Sequence, residues 1–381
     1  MMRGMCAAFA VLLAVILPDF GEAADAATAT ARKEGGMVKR EGDRVQIEGV
    51  PVLWWGNAKA CTWAGATEAA LAPTAHPYSY AQIMEMSALA FRARWFRDKA
   101  GKGWCPSSAV GELGDEYQLF FRECGWQWRT EVRGGGADMT PLVPDVVKSI
   151  DAGLPVVCYD DHLDMAVAFG YTGGGKTLLF RDYHAGDKEL DLPANKLGWL
   201  LYFPTAFTAA MPEREAALES LKLAVRNWTR DPMPGGNGGA YLYGRSALEG
   251  WAEDIGKADS CTPAEREKLF FLGWFCFDAL DDASRSQKSF LDNVAKALGG
   301  KAADHLRSAA EVLGRTPPLT RGAFERKDAF LGPWSGKDIK AWTPEVRKRE
   351  QDLLRRIATA SDPVFTEMGK ALAEAAKDAG R

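Results

Sequence analysis

Apolar and polar positions change their rhythm part-way along this chain. The run Thr62-Trp63-Ala64-Gly65-Ala66-Thr67-Glu68-Ala69-Ala70-Leu71 is alanine-rich and unbroken until Pro73, which predicts a helix beginning at or just after Cys61. A second helix is expected to start near Ser79 and cover residues 80–92. From Pro155 the pattern shortens. Residues 155–159, 165–171 and 177–183 are brief runs rich in Val, Phe and Tyr, as strands are. Gly173, Gly174 and Gly175 separate the last two and predict a hairpin. Beyond Pro204 the strand signals fade, and residues 213–229, 246–255, 264–298, 302–313 and 344–376 read as helices, with a glycine-rich loop at 235–239. The apolar stretch Leu269-Phe270-Phe271-Leu272-Gly273-Trp274-Phe275 suits a buried central helix. Trp228, Trp251, Trp274, Trp334 and Trp342 are expected to pack in the core of this helical half. The pattern predicts an α+β domain at 45–205 followed by an all-helical domain at 206–381.

The first residues follow a different logic. Arg3 precedes an apolar run at 5–17, and small residues follow at Gly21-Glu22-Ala23 and again at 27–31, which is the layout of a signal peptide at 1–23. The run is short for a bilayer, and no second apolar stretch of that kind occurs downstream. An exported protein, periplasmic or extracellular, with no stable membrane span after cleavage, is therefore expected. Residues 24–44 are small, polar and charged and read as a flexible lead-in, with order expected from Val45.

Composition narrows the function classes. Across 381 residues, 47% are hydrophobic and 26% charged, the balance of a globular protein and not of a disordered chain. The net charge is −4 and no basic run concentrates positive potential, which argues against nucleic acid as a partner. Setting aside Cys6 in the leader, the cysteines are Cys61, Cys105, Cys124, Cys158, Cys261 and Cys276. Their spacing has no CxxC or repeated pattern, so neither a disulfide framework nor a structural zinc site is called for. Cys276, inside the apolar run, is expected as a buried thiol.

Gly170-Tyr171-Thr172-Gly173-Gly174-Gly175-Lys176-Thr177 satisfies the phosphate-loop formula. That formula works only where the last residues open a helix whose free amides hold phosphate. Here a strand is expected instead, so no nucleotide is expected to bind.

Cys61 is the more informative residue. A thiol at a helix N-terminus has its thiolate stabilised by unpaired amides and by the positive end of the helix dipole. A nucleophilic cysteine also needs a base and a group that orients the base. His162 stands at or before one strand of the predicted hairpin and Asp182 on the next, so the hairpin can bring an imidazole and a carboxylate together. The same hairpin carries a mirrored pattern. His162 and Asp164 share one strand face and Asp182 and His184 share the next, because side chains alternate with period two. Surface polar pairs are the plain reading of these four, and a metal site on the hairpin is a distant alternative. His76 and His305 have no visible partners in the sequence and are treated as structural or solvated. No cofactor is expected.

These residues, in this order, resemble a known family. The series is Asn57, then Cys61-Thr62-Trp63 opening a helix, then Tyr78-Ser79-Tyr80-Ala81-Gln82-Ile83-Met84 with Ala88-Leu89-Ala90-Phe91. Next come Ile150-Asp151-Ala152-Gly153-Leu154-Pro155-Val156, Met165-Ala166-Val167-Ala168-Phe169-Gly170-Tyr171, and Phe180-Arg181-Asp182-Tyr183. It looks like the N-terminal domain of the butirosin biosynthesis protein H family, and more distantly like the papain-like peptidases that cleave double-glycine leaders. Tyr243-Gly244 with Ala247-Leu248, and Arg285 with Ser289-Phe290-Leu291, extend the resemblance into the helical half. The resemblance implies a papain-like cysteine peptidase-like fold, with the nucleophile at Cys61, a histidine at the start of the strand that ends in Gly170-Tyr171, and an aspartate at Asp182. This chain departs from that pattern at one position. Asp164 stands where the family has its histidine, and His162 lies two residues earlier. His162 faces the same side and serves only if the strand is shifted or bulged by two. Asn57, four residues before Cys61, is placed to offer an amide to an oxyanion.

The expected function is Cys-dependent hydrolysis or acyl transfer at Cys61 on a peptide or small-molecule amide or thioester. The alternative is a catalytically inactive papain-like module that holds a peptide or small polar ligand between Asp164 and Asp182.

Overall fold

The computed structural model describes residues 34–55, 59–104, 115–133, 138–159, 164–235, 238–315, 319–321, 329–330 and 339–379. The leader at 1–23, Asn57, Cys105, His162 and Trp334 lie outside these described residues.

Along the chain come strands β1 (Val38–Glu41) and β2 (Arg44–Ile47), helices α1 (Thr62–Leu71) and α2 (Tyr80–Met86), strand β3 (Arg94–Arg97), helix α3 (Asp115–Glu123), strand β4 (Trp126–Val132) and helix α4 (Val143–Asp151). Strands β5 (Val156–Tyr159), β6 (Met165–Thr172), β7 (Thr177–Arg181), β8 (Leu190–Pro193) and β9 (Leu200–Phe207) come next. Helix α5 (Glu213–Thr229), the short strands β10 (Met233–Pro234) and β11 (Ala240–Tyr243), and helices α6 (Gly244–Gly256), α7 (Pro263–Ser284), α8 (Gln287–Leu298), α9 (Gly300–Arg315) and α10 (Pro344–Ala379) complete the order. The protein is thus mixed α/β with a helical C-terminal region.

It divides into two compact units. One holds the described residues up to Ile83 together with Phe120–Met211, and the other holds Met84–Leu119 with the residues from Pro212 onward.

In the first unit the strands run β1-β2-β6-β5-β9-β4 in one sheet, with β7 paired to β6 and β8 to β7, every neighbour antiparallel. Strand β6 is buried along both faces from Met165 to Tyr171, which is why it reads as a continuous apolar run rather than an alternating one. Helix α1 lies against this sheet with every residue but Glu68 buried. Its Trp63 meets Phe120 edge-on at 5.8 Å. Strands β6 and β7 are joined through Gly173, Gly174 and Gly175, whose φ angles of 57°, 66° and 95° are ones that only glycine adopts without strain. The residues after Lys176 form a strand and not a helix, so the phosphate-loop formula is met without the helix that gives it meaning.

Differences from the expected pattern are local. Strand β1 lies inside the stretch expected to be a lead-in. It is an edge strand with three of four residues exposed, so it carries no apolar alternation to announce it. The helix expected at 264–298 is two helices, broken at Arg285 and Ser286. Residues 80–92 form α2 followed by a turn of 3-10 helix at Leu89–Phe91, with Ala88 between them at a positive φ of 59°.

The second unit contains strands as well as helices. β3 pairs with β11 over Arg94↔Tyr243 to Arg97↔Ala240, and β11 pairs with β10. Its core is aromatic. Trp95 stacks on Trp251 at 5.0 Å, Trp228 on Phe365 at 4.3 Å and Phe277 on Phe330 at 4.1 Å. Trp228, Trp251, Trp342 and the Cys276 thiol are buried as expected, whereas Trp274 is only half-buried. Among the described residues no helix is long and apolar enough to cross a membrane.

Candidate active site

Helix α1 opens directly after Cys61, whose backbone is extended at φ −80°, ψ 95° and whose side chain makes no capping hydrogen bond. The first turn holds no acidic residue, so no carboxylate of its own offsets the positive end of the dipole. The Cys61 N–H donates to the Tyr80 hydroxyl at 3.0 Å, and the Tyr80 N–H donates to Glu68 Oε1 at 2.9 Å. The other oxygen of Glu68 pairs with Lys59 Nζ. These contacts tie the approach to Cys61 onto the middle of its own helix. Cys61 is buried at 5% exposure.

The start of β6 lies against the same helix end. Met165 N–H donates to Thr62 Oγ1 at 3.3 Å, so the residue after Cys61 is joined to the residue after Asp164. Asp164 Oδ2 is 2.9 Å from His184 Nε2. The carboxylate is mostly enclosed, with 13% of its side chain exposed against 39% for His184. Trp55 packs on Tyr183 with centroids 4.6 Å apart and meets the His184 ring edge-on at 6.1 Å.

Asp182 is buried at 1% exposure. Its Oδ1 accepts the N–H groups of His184 at 2.9 Å and Ala185 at 2.6 Å, fixing the backbone just after β7. Its Oδ2 is buried with no hydrogen-bond donor among the described residues, a costly state for a carboxylate oxygen. The role expected for Asp182, orienting the ring of His162, falls on a residue outside the described ones. The group that the structure brings to Asp182 is the backbone of the loop that carries His184.

Of the expected site residues, then, Cys61, Asp164 and Asp182 gather at one end of α1 and on one hairpin. The structure adds His184, Tyr183, Trp55 and Tyr80. The period-two pattern did display the Asp164 and His184 pair, but nothing in it favoured these two over the Asp182 and His162 pair. Strand β6 carries a bulge of one residue against β7, between Ala168 and Gly170, where a shift of two is what His162 requires. Among the described residues no three of His, Cys, Asp and Glu are gathered to hold an ion, and of the four residues of the metal alternative His162 lies outside them. His76 and His305 have partners that sequence did not show, Glu34 at 2.8 Å and Glu367 at 2.8 Å.

The described cysteines are all buried thiols. Burial pushes the Cys124 thiol up to about 11, and it also raises that of Cys261. Neither is set up as a nucleophile at neutral pH.

The chain matches no protein-family model and no curated relative.

One close contact locks the site to its helix. A Cβ built on Gly65 would lie 1.8 Å from the Tyr183 hydroxyl. The Tyr183 ring cannot swing aside cheaply, because it is buried and packed on Trp55. Gly65→Ala is accordingly expected to lose about 1–3 kcal/mol through overpacking, against the gain of about 1 kcal/mol that alanine brings to a helix interior. Urea unfolding measures the net effect, and a stability equal to or above wild type would show that Tyr183 yields freely.

Proposed function

We propose that the first unit is a papain-like domain that carries out cysteine-dependent acyl chemistry at Cys61, on amide or thioester substrates. The observation that carries this is the Thr62–Met165 hydrogen bond. It brings the start of α1, where the Cys61 thiol stands, against the start of β6, which Asp164 immediately precedes.

The chemistry is built from these parts. An imidazole takes the proton of the Cys61 thiol, and the helix dipole helps to hold the thiolate. The sulfur attacks the substrate carbonyl carbon, forming a C–S bond while the carbonyl π pair moves to oxygen. Collapse of that oxyanion breaks the bond to the leaving amine or thiol, which takes the proton back from the imidazolium. Water or an acceptor nucleophile then attacks the thioester, gives its proton to the imidazole and releases the thiolate. Export, expected from residues 1–23, belongs to the same proposal.

p-Nitrophenyl acetate tests it. The wild-type protein is expected to release a burst of nitrophenolate and to carry an acetyl group that peptide mapping places on Cys61. Cys61→Ala should abolish the burst. An acetyl group that never appears on Cys61 would favour the second reading, a ligand-binding module that keeps the fold. The observation on that side is Asp164, an acidic residue where the resembled family has its histidine.

A further inference from the structure

We infer that the imidazole serving Cys61 is His184, with Asp164 as the carboxylate that orients its ring and Asp182 as the residue that holds its loop. This deepens the proposed cysteine chemistry and rests on it. The expected arrangement had a histidine at the head of β6 and an aspartate after β7. The chain exchanges the two, placing the acid at 164 and the imidazole at 184.

Five contacts support the exchange. The Thr62–Met165 bond sets Asp164 at the N-terminal end of α1, where Cys61 stands. The 2.9 Å contact to Asp164 engages Nε2 of His184, so proton exchange with sulfur falls to Nδ1, the nitrogen that contact does not use. Asp182 Oδ1 fixes the peptide groups of His184 and Ala185, and the edge of Trp55 bounds the ring. An enclosed carboxylate beside an imidazole favours its charged form. An imidazolium in turn favours the thiolate, so Asp164 acts on Cys61 through His184. The acidic residue that counted against catalysis in the sequence becomes part of the machinery once it is paired. Tyr183, with its hydroxyl over Gly65, keeps the segment that bears His184 against α1.

Iodoacetamide labelling of Cys61 at pH 6 and at pH 10 tests the inference, and the ratio of the two rates cancels differences in access. An ordinary thiol with a pKa of about 8.5 is under about 1% thiolate at pH 6, so an ion-paired Cys61 should show a ratio on the order of a hundredfold higher. His184→Ala is expected to bring the ratio down to the ordinary value while leaving the pH 10 rate within about twofold. Asp164→Asn removes the charge that favours the imidazolium and should lower the ratio part of the way, and Asp164→Glu should restore it, a rescue that lost packing alone does not produce. Cys124, held protonated by burial, should label slowly even at pH 10 in each variant, whereas an unfolded chain would expose it as an ordinary thiol, so it reports an intact fold. A high ratio in wild type that survives in His184→Ala overturns the inference and leaves the Cys61 reading standing, and so does a ratio that His162→Ala alone abolishes. A low ratio in wild type overturns both.

Discussion

Replacing Asp254 by Ala is expected to cost the second unit about 3–5 kcal/mol, the usual result of removing one partner from a buried charge cluster. Asp254 is buried, and one of its oxygens, Oδ2, accepts three hydrogen bonds: from Trp95 Nε1 at 2.8 Å, Arg97 Nε at 2.7 Å and Trp104 Nε1 at 3.0 Å. All three donors come from the 84–119 segment, and their acceptor comes from α6. Among the described residues, alanine leaves two indole N–H groups without an acceptor and the Arg97 guanidinium with Gly250 O and Glu253 to bond. The stacked Trp95 and Trp251 rings sit beside the cluster, so tryptophan fluorescence reports its loss. Asp254→Asn keeps an oxygen at the shared position and gives up only the charge that faces Arg97, so it should cost about 1–2 kcal/mol. An alanine variant that unfolds within about 1 kcal/mol of wild type in urea would show that the cluster contributes little.

This cluster also explains why the place of residues 84–119 in the second unit is not legible locally. The expected cut near 205 lies close to the passage from Met211 to Pro212. Residues 84–119, however, belong with the second unit. Their place is decided by partners far along the chain, Asp254 for Trp95 and Trp104 and the strand β11 for β3. Nothing local in Arg94-Trp95-Phe96-Arg97 points to Ala240–Tyr243. The break between α7 and α8 is silent for a related reason, since neither Gly nor Pro marks Arg285-Ser286. By contrast, α1 and the strands β5, β6 and β7 were legible because each is buried on both sides. Burial of that kind writes itself into a short sequence as an unbroken apolar run.

For the candidate site, position was legible and pairing was not. Cys61 at the head of α1 is read from the alanine-rich run and its break at Pro73. Asp164, Asp182 and His184 are read from strand alternation. Which imidazole meets which carboxylate depends on how the end of β7 turns back, and that turn is set by Asp182 bonding to backbone rather than to a ring. Trp55 escaped notice, and Tyr183 was read only as part of a motif, because their contact joins distant segments of the chain.

Glu350 makes the stability of the second unit depend on pH above the range where most carboxylates titrate. Its two oxygens accept the Phe330 N–H at 2.7 Å and the Trp342 Nε1–H at 2.6 Å, bonds that favour the charged form. Burial outweighs them and the nearby Arg347 and Arg349, and the carboxyl is pushed up to about 7. The folded state therefore holds this proton more tightly than the unfolded chain, whose glutamate titrates at about 4.3. The contribution is fully present below the unfolded value and is lost as pH rises through about 7, a fall of about 4 kcal/mol across that window. Asp278, pushed up to about 6 by burial and by Asp282 and Asp281, adds a loss of the same sign that is complete at lower pH. Glu345, Glu367 and Glu374 are held below their usual range by their hydrogen-bond partners, so their opposite effect is finished before pH 5. Wild type should thus melt progressively lower from pH 5 to pH 8. Glu350→Gln cannot titrate and turns its amide N–H₂ toward one of the two donors, so it should be less stable than wild type at pH 5. It should show a shallower decline, with the remaining slope, due to Asp278, ending near pH 7. Parallel melting curves for the two proteins across that range would mean that Glu350 is already ionised when folded, and that its two donors outweigh its burial.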